Sequence, residues 1–311
     1  MNKDLRLLRI LPIVILAIIL ILVSLNVSEL SLLLLLIPIP FALIGTLSNL
    51  KNNIISLSVT FLSLMYFTKY ANAMDIFINS IIPGTIIGII AKKSIRDKDS
   101  NKYEPIFLGS IVFIISIIVY YFISKYAFKI DILNEFLQIL DKGLESQKDV
   151  LKSAGNELLK SDTFRKIIPS VLFFRSMILS IIIYLIEIFL LRRMKYDDLS
   201  EIKFKNFYLP GNTIMISFLL YLLILVLSYM KTPLYTDTIF LNLQIVFNFM
   251  FIIQGIAVSI YFIKKWLNQG TNKNIFISAI CIGVFGMTGI SFIGMIDSIL
   301  DFRKVRVYES I

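Results

Sequence analysis

Residues 105–123 read PIFLGSIVFIISIIVYYFI, a run that contains no charged side chain. One helix of about 20 such residues crosses the ~30 Å hydrocarbon core of a bilayer, because each residue adds about 1.5 Å of rise. Runs of this kind recur along all 311 residues. They cover 8–25, 30–47, 53–68, 71–91, 105–127, 167–191, 210–230, 238–263 and 275–297. The sequence therefore predicts an all-α, polytopic transmembrane helix bundle of eight or nine spans, and the short segment 53–68 is the weakest of them.

The composition supports a membrane protein and excludes several other classes. Hydrophobic residues make up 57% of the chain against 17% charged, and the mean hydropathy is +0.83, whereas soluble domains are about half apolar and a quarter charged. His is absent and the lone Cys281 lies inside an apolar run, so neither a metal centre nor a disulfide framework is expected. Phosphate-binding loops and nucleophile elbows are missing as well. We therefore expect no cofactor, no metal, no nucleic-acid partner and no enzymatic activity.

Positive charges in the short loops predict how the chain is threaded. Cytoplasmic loops of multispan proteins carry an excess of Lys and Arg. With the N-terminus inside, the cytoplasmic segments hold 17 Lys and Arg residues, and the short outer loops hold only Lys69 and Lys231, within a net charge of +10. This asymmetry predicts a multi-pass protein of the cell membrane with a cytoplasmic N-terminus. Nine crossings, the number we favour, leave a tail with Arg303, Lys304 and Arg306 outside, against the same rule, and eight crossings return it to the cytoplasm.

Residues 129–166 form the one sizeable predicted region outside the membrane. An apolar stripe with three- and four-residue spacing runs through them, which is typical of a helix with one apolar face. The stripe consists of Leu133, Leu137, Leu140, Leu144, Leu151, Ala154 and Leu158. Two interpretations stay open. The segment is either an interfacial helix or hairpin that packs on the ends of the spans, or a lid over an outer cavity or a docking helix for a partner.

Polar and charged side chains at membrane depth form the candidate site. Such charges cost at least a few kcal/mol, so they usually face the bundle interior and pair. Under the orientation above, six of them fall in the outer half of four spans: Asp75, Asn79, Arg175, Gln244, Asn248 and Asp297. One hypothesis is an outward-facing pocket for a small solute, with Arg175 as the anion anchor and the amides as orienting groups. The other is structural: Arg175 pairs with Asp75 or Asp297, and the amides join helices by hydrogen bonds.

Glu187 is a further charge within an apolar span. It lies one turn from Arg192 and Arg193, near the cytoplasmic end of that span. This spacing favours an interfacial ion pair.

Proline and small residues predict helix breaks and close helix packing. Proline lacks a backbone N–H and clashes with the preceding turn, and it interrupts the second span at Pro38 and Pro40 and the fourth at Pro83. Small residues four apart let two helices approach closely. The small residues in question are Gly84 with Gly88, Ala279 with Gly283, and then Gly286, Gly289 and Gly294. We expect these small residues to lie at helix–helix contacts, and a flexible gate is the alternative interpretation.

The C-terminal third resembles the YybS family, a group of bacterial multispan membrane proteins. The residues that carry the resemblance are Leu209-Pro210, Asn242-Leu243-Gln244, Gln254-Gly255, Gly294-Met295-Ile296-Asp297 and Asp301-Phe302-Arg303. The resemblance implies a helical membrane protein and brings no mechanism with it.

The first half is similar, more distantly, to the substrate-binding subunits of energy-coupling-factor transporters. The similarity lies in Pro38-Ile39-Pro40, in Pro83-Gly84-Thr85-Ile86-Ile87-Gly88 and in Lys92-Lys93. Those subunits bind a small nutrient from the outer side and depend on a separate ATPase and a coupling subunit. The similarity thus implies a small-molecule solute and such partner subunits for a protein that sits in the lipid bilayer.

Two functions follow from these observations. The favoured one is binding or transport of a small solute through an outward-facing polar pocket. The alternative is a non-transporting membrane scaffold or regulator in cell-envelope assembly, which would use residues 129–166 to engage envelope proteins.

Overall fold

A computed structural model describes residues 7–96, 101–146, 161–194, 196, 203–210, 213–230, 235–267 and 274–305. These residues form eleven α-helices and no strand. The helices are α1 (Leu7–Asn26), α2 (Pro38–Leu47), α3 (Leu50–Phe67), α4 (Tyr70–Ile76), α5 (Ile82–Arg96), α6 (Glu104–Ile123), α7 (Ile132–Ser146), α8 (Ser161–Arg193), α9 (Thr213–Tyr229), α10 (Thr236–Leu267) and α11 (Asn274–Leu300). Short 3₁₀ stretches cover Ser28–Leu36 and Phe204–Asn206, and π-helical turns cover Phe77–Ile81 and Ser124–Phe128. The predicted all-α class is confirmed.

Six helical stretches of the described chain are long and apolar enough to cross a membrane. They are Glu29–Leu47, Tyr70–Arg96, Glu104–Phe128, Arg165–Arg193, Thr236–Trp266 and Gly283–Leu300. Two shorter apolar helices, Ile10–Asn26 and Thr213–Tyr229, match the first and seventh predicted spans. α3 is not among these stretches, because Asn52, Asn53 and several hydroxyl residues lower its hydropathy. The helices therefore form the membrane bundle that the apolar runs predict.

The chain divides into two compact units. The first comprises residues 1–161 and 172–200, and so holds α1 to α7 and most of α8. The second comprises residues 162–171 and 201–311, and so holds the beginning of α8 and α9 to α11. In both units large apolar side chains point outward, for example Leu32 at 75% exposure and Leu225 at 66%. Such an apolar outer surface suits contact with lipid tails.

α2 and α5 pack backbone to backbone in the first unit. A Cβ on Gly84 would overlap the carbonyl of Pro38, and a Cβ on Gly88 would overlap that of Ala42. Gly45 of α2 approaches α5 in the same way. Because the partners of Gly84 and Gly88 follow the same order along α2, the two helices run in the same direction. The predicted close contact of Gly84 and Gly88 is confirmed.

The π-helical turn Phe77–Ile81 separates α4 from α5. Its cause is Pro83, which has no N–H to offer to the carbonyl of Asn79 and whose ring clashes with the preceding turn. The N–H of Ile82 bonds instead to the carbonyl of Phe77, five residues back. The second predicted break also appears, because the 3₁₀ stretch ends just before Pro38, which opens α2 at a position where no N–H donor is needed.

α10 and α11 cross closely in the second unit at Gly255 and Gly294. A Cβ on Gly255 would overlap the carbonyl of Ile290, and a Cβ on Gly294 would overlap that of Phe251. The predicted helix contact of Gly294 is therefore confirmed. The contacts predicted for Gly283 and Gly286 are wrong, since nothing lies within 4 Å of a Cβ built at either position, and a Cβ on Gly289 would meet only Phe285 of the same helix. The side chains of Ala279 and Cys281 lie outside the described part of the chain.

α11 changes direction part-way along. Gly286 has φ +67° and ψ 170°, a conformation that residues with a Cβ rarely adopt, and it divides the helix into two parts. In the second part, Ser291 bonds to Asn248 and Asp297 bonds to Gln254. These partners follow the same order along both helices, so the second part of α11 runs in the direction of α10. Because α11 starts soon after α10 ends, its first part runs antiparallel to α10, and the direction reverses at Gly286.

Candidate functional site

The six residues predicted to share one pocket belong to two groups. Asp75, Asn79 and Arg175 lie in the first unit, and Gln244, Asn248 and Asp297 lie in the second. Each group has its own partners, and the two groups differ in how completely those partners satisfy them.

Asp75 and Asn79 lie at the junction of α4 and the π-helical turn. The side-chain amide of Asn79 donates to Asp75 Oδ1 at 2.7 Å. The other polar atom of this amide, Asn79 Oδ1, is buried and has no hydrogen-bond partner among the described residues. A π-helical turn displaces side chains from their regular helical positions and recurs at functional sites. Asn79 therefore offers an unused acceptor inside an apolar span.

Arg175 of α8 and Tyr120 of α6 complete this group, which we call the polar cluster (Asp75, Asn79, Tyr120 and Arg175). Arg175 is exposed and lies within electrostatic reach of Asp75, but no ion pair within 4.0 Å joins these two described residues. Tyr120 lies within electrostatic reach of Asp75 as well, and its hydroxyl donates to the carbonyl of Ala71 at 3.4 Å. The cluster presents an acid, an amide, a phenol and a guanidinium group from three helical segments.

Asp297 is tied to Arg303 in the second unit. Arg303 Nη2 lies 2.8 Å from Asp297 Oδ2, and the side chains of this pair are 0% and 1% exposed. Arg303 also donates to the backbone carbonyls of Lys205 and Phe207, at 2.7 Å each. The cation that pairs with Asp297 is thus Arg303, which the sequence predicts only as a positive charge of the C-terminal tail.

Gln254 completes this network, which we call the C-terminal clamp (Gln254, Asp297, Arg303 and the backbone groups of Lys205, Phe207 and Leu209). Its amide nitrogen donates to Asp297 Oδ2 at 2.9 Å, and its oxygen accepts from the N–H of Leu209 at 3.1 Å. The clamp therefore joins α10, α11, the tail and the stretch that precedes α9. Each of these polar groups has a partner within the protein, as a buried ion pair requires.

The remaining amides of the second unit differ in exposure. Ser291 donates to Asn248 Oδ1 at 2.5 Å. Asn242 is buried, and its Oδ1 accepts from the N–H and the hydroxyl of Ser170 at 2.9 and 2.6 Å. Gln244 is exposed. Asn242 and Asn248 thus join neighbouring helices, while Gln244 lies on an open helix face.

Glu187 lies in the protein interior and not at the membrane interface, where the sequence predicts it. It is 0% exposed, and its Oε1 is hydrogen-bonded to the hydroxyl of Thr46. Arg192 and Arg193 are exposed at the end of α8, so the predicted interfacial ion pair is wrong. The reason is helical geometry: Glu187 shares the buried face of α8 with Leu191, and the next two positions turn toward the exposed side. The helical periodicity of the apolar residues along α8 could have shown that Glu187 lies on the buried face.

The segment predicted to lie on the outer side begins with helix α7, which is amphipathic as expected. Asp131 Oδ1 accepts from the N–H of Asn134 at 3.1 Å, and this hydrogen bond lowers the pKa of the Asp131 carboxyl. Leu133 of the predicted stripe is 40% exposed and Leu137 is half-buried, and Phe136 and Ile139 beside the stripe are exposed by 46% and 70%. Of the predicted stripe, the side chains of Leu140, Leu144, Leu151, Ala154 and Leu158 lie outside the described part of the chain.

Comparison with protein families assigns the chain to one family. A family model described as "Predicted membrane protein (DUF2232)" matches residues 14–298, nearly the whole length. The chain belongs to this family. The match supports a multi-pass membrane protein that contacts the lipid bilayer. Neither a curated protein nor a solved structure matches the DUF2232 chain.

The acidic side chains of this DUF2232 member are dispersed rather than grouped. In the part of the chain that the structure describes, no set of three or more Cys, Asp and Glu side chains could hold a metal ion. Asp75, Glu187 and Asp297 instead lie beside an amide, a hydroxyl and a guanidinium group respectively. The chemistry open to these positions is hydrogen bonding, charge recognition and proton binding.

Proposed function

We propose that the protein binds a small polar solute at the polar cluster and transports it across the cell membrane, without catalysing a reaction. The observation that carries this proposal is the pair Asp75 and Arg175, two opposite charges inside apolar spans that are not joined by a direct ion pair. Charges at membrane depth are costly and mark substrate or ion pathways. A solute that bridges the pair would neutralise both.

The donors and acceptors of the cluster define the solute class. The planar guanidinium of Arg175 suits a carboxylate or phosphate group, to which it donates two parallel hydrogen bonds. Asp75 and the unused Asn79 Oδ1 accept from an amine or hydroxyl group. The cluster therefore favours a small solute with an anionic group at one end and a donor at the other.

Energy for transport would come from partner subunits. The sequence carries no nucleotide-binding motif, and its similarity to energy-coupling-factor substrate-binding subunits supports a separate ATPase and coupling subunit as partners. The charge asymmetry of the loops supports a cytoplasmic N-terminus in this arrangement. The YybS resemblance adds a bacterial membrane setting and no further mechanism.

The test begins with native mass spectrometry of the gently solubilised protein from its own membranes. We expect a small molecule or a transporter ATPase to travel with it. The co-purified solute should then bind Arg175→Leu about 10- to 100-fold more weakly, because a hydrogen bond to a charged group contributes about 1.5–3 kcal/mol. Arg192→Leu, an exposed Arg on the same helix, is the matched control and should bind normally. Equal affinity in the two variants would exclude the pocket.

A scaffold in cell-envelope assembly is the second candidate, and the exposed apolar side chains of α7 favour it. Leu133, Phe136 and Ile139 are exposed outside the spans, where a partner protein could cover them. Deletion of residues 131–163 should then release bound envelope proteins and leave solute binding unchanged. Recovery of the same proteins with the deleted chain would contradict this role.

A further inference from the structure

Helices α2, α5 and α8 of the first unit meet at a polar group outside the polar cluster. Glu187 of α8 and Thr46 of α2 are both 0% exposed. The Thr46 hydroxyl oxygen lies 2.8 Å from the carbonyl oxygen of Gly88 on α5, and it is also hydrogen-bonded to Glu187 Oε1. A single hydroxyl group thus connects three helices.

The hydrogen atoms of this group can be assigned by counting. A Thr hydroxyl carries one hydrogen, and a backbone carbonyl oxygen only accepts. The contact with Gly88 therefore uses the hydrogen of Thr46. The contact between Thr46 Oγ1 and Glu187 Oε1 then needs a second hydrogen, which the carboxyl group supplies. In this arrangement Glu187 is a neutral carboxylic acid that donates to Thr46.

The surroundings favour the neutral acid over the carboxylate. The second oxygen of Glu187, Oε2, is buried and has no hydrogen-bond partner among the described residues. The three helices contribute Ile39, Ile87 and Ile183 to one apolar cluster. A carboxylate without a paired cation is strongly disfavoured in such an interior, and a protonated carboxyl is tolerated.

The titratable groups on the elements that surround this carboxyl have partners of their own. Tyr184, one turn earlier on α8, donates its hydroxyl to the carbonyl of Lys102 at 2.8 Å, and Tyr103, just before α6, lies beyond it. Lys92, one turn after Gly88 on α5, donates its ammonium to the carbonyl of Ser48 at 2.5 Å. α2 carries no titratable side chain. Proton binding therefore sets the charge of this site.

We propose that Glu187 is a proton-binding site within the membrane, and that it exchanges its proton with water when the contact of α2, α5 and α8 opens. On release, the carboxyl O–H bond breaks and the proton passes to a water molecule. The hydrogen of Thr46 then turns from Gly88 to the carboxylate. The contact loses one of its two hydrogen bonds and gains a buried negative charge, so deprotonation favours separation of the helices. This proton-binding site uses residues outside the polar cluster and needs no solute.

Infrared difference spectroscopy on the full chain in lipid nanodiscs tests the protonation state. A neutral carboxyl group has a C=O stretching band that carboxylates lack. We expect this band in the wild type at neutral pH, a shift of the band in heavy water, and loss of the band in Glu187→Gln. Glu29→Gln removes an exposed acid and is the matched control, which should keep the band. A band of equal strength in the wild type and Glu187→Gln would overturn the proposal.

Two further measurements test whether protonation of Glu187 stabilises the helix contact, and whether the ion bound there is a proton. We expect the melting temperature of the wild type to fall between neutral and alkaline pH. Glu187→Gln retains a donor toward Thr46 and has no proton to lose, so its melting temperature should stay unchanged over the same range. An equal fall in both proteins would overturn the coupling. Replacing choline chloride by sodium chloride at constant pH should leave the carboxyl band unchanged. Loss of the band with sodium would assign the oxygens to Na⁺ and overturn the proton assignment. Solute affinity is measured separately, so either proposal can fail alone.

Discussion

Arg303→Met tests the C-terminal clamp by removing the guanidinium group while keeping most of the apolar stem. The substitution removes the guanidinium group from beside Asp297, whose side chain is 1% exposed, and it removes one hydrogen-bond donor from the carbonyls of Lys205 and Phe207. Breaking a buried ion pair in this way costs about 3–5 kcal/mol. Since domains are stable by only about 5–15 kcal/mol, the second unit should lose a large part of its stability.

The single Trp of the chain provides the assay. Trp266 is 84% exposed and lies near the end of α10, in the second unit, so its fluorescence reports on that unit during unfolding in mixed micelles of mild and denaturing detergent. Arg192→Met, an exposed change in the first unit, should stay within about 0.5 kcal/mol of the wild type.

A double variant separates charge from packing. Asp297→Leu combined with Arg303→Met removes both charges, and it should recover most of the stability that Arg303→Met loses. A loss below about 1 kcal/mol in Arg303→Met would refute the reasoning. So would a double variant as unstable as the single one, because the cost would then come from packing.

Three further outcomes are expected. Gly88→Ala should lower the free energy of unfolding by about 1–3 kcal/mol, because its Cβ would overlap the carbonyl of Ala42, whereas Gly143→Ala meets nothing within 4 Å and should raise that free energy by up to about 1 kcal/mol in the same titration. The pKa of Asp131 is lowered in the folded chain, so the carboxylate stabilises α7 above the ordinary pKa of an Asp, and this stabilisation is lost as the pH falls through the lowered pKa. Amide hydrogen exchange in α7 should therefore become faster in acid for the wild type and not for Asp131→Asn. A reporter fused after Ile311 should lie on the same side of the membrane as a cysteine label at Lys265, because the second part of α11 runs in the direction of α10. Lys265 belongs to the predicted cytoplasmic segments, so we expect the tail where eight crossings leave it and not outside, where nine crossings would. Opposite sides would contradict that direction.

The helices of this protein could be predicted from the sequence because the bilayer leaves the backbone few alternatives. Within lipid, each N–H and C=O group must be bonded inside its own segment, so an apolar run of sufficient length becomes a helix. The contact of Gly84 and Gly88 with α2 was predictable for a similar reason, since residues without bulky side chains mark the places where helix backbones meet.

The partners of the buried charges could not be predicted, because they depend on contacts between distant parts of the chain. Glu187 has two cations one turn away in sequence, yet its partner is Thr46, 141 residues earlier. Arg303 belongs to a tail that follows the last helix, and nothing in its local sequence shows that it turns back to Asp297. The glycines of α11 gave an ambiguous signal, since Gly294 lies at a helix contact while Gly286 breaks the helix.

The C-terminal clamp has a consequence for the lifetime of the folded protein. Arg303 bonds to carbonyls that precede it by 98 and 96 residues. Contacts between such distant residues form late, because the entropy of closing the intervening chain must be overcome first. The clamp should therefore be absent from the transition state of folding, and Arg303→Met should accelerate unfolding while leaving the folding rate nearly unchanged. In the cell, this arrangement would set how long the second unit persists once assembled, and not how quickly it assembles.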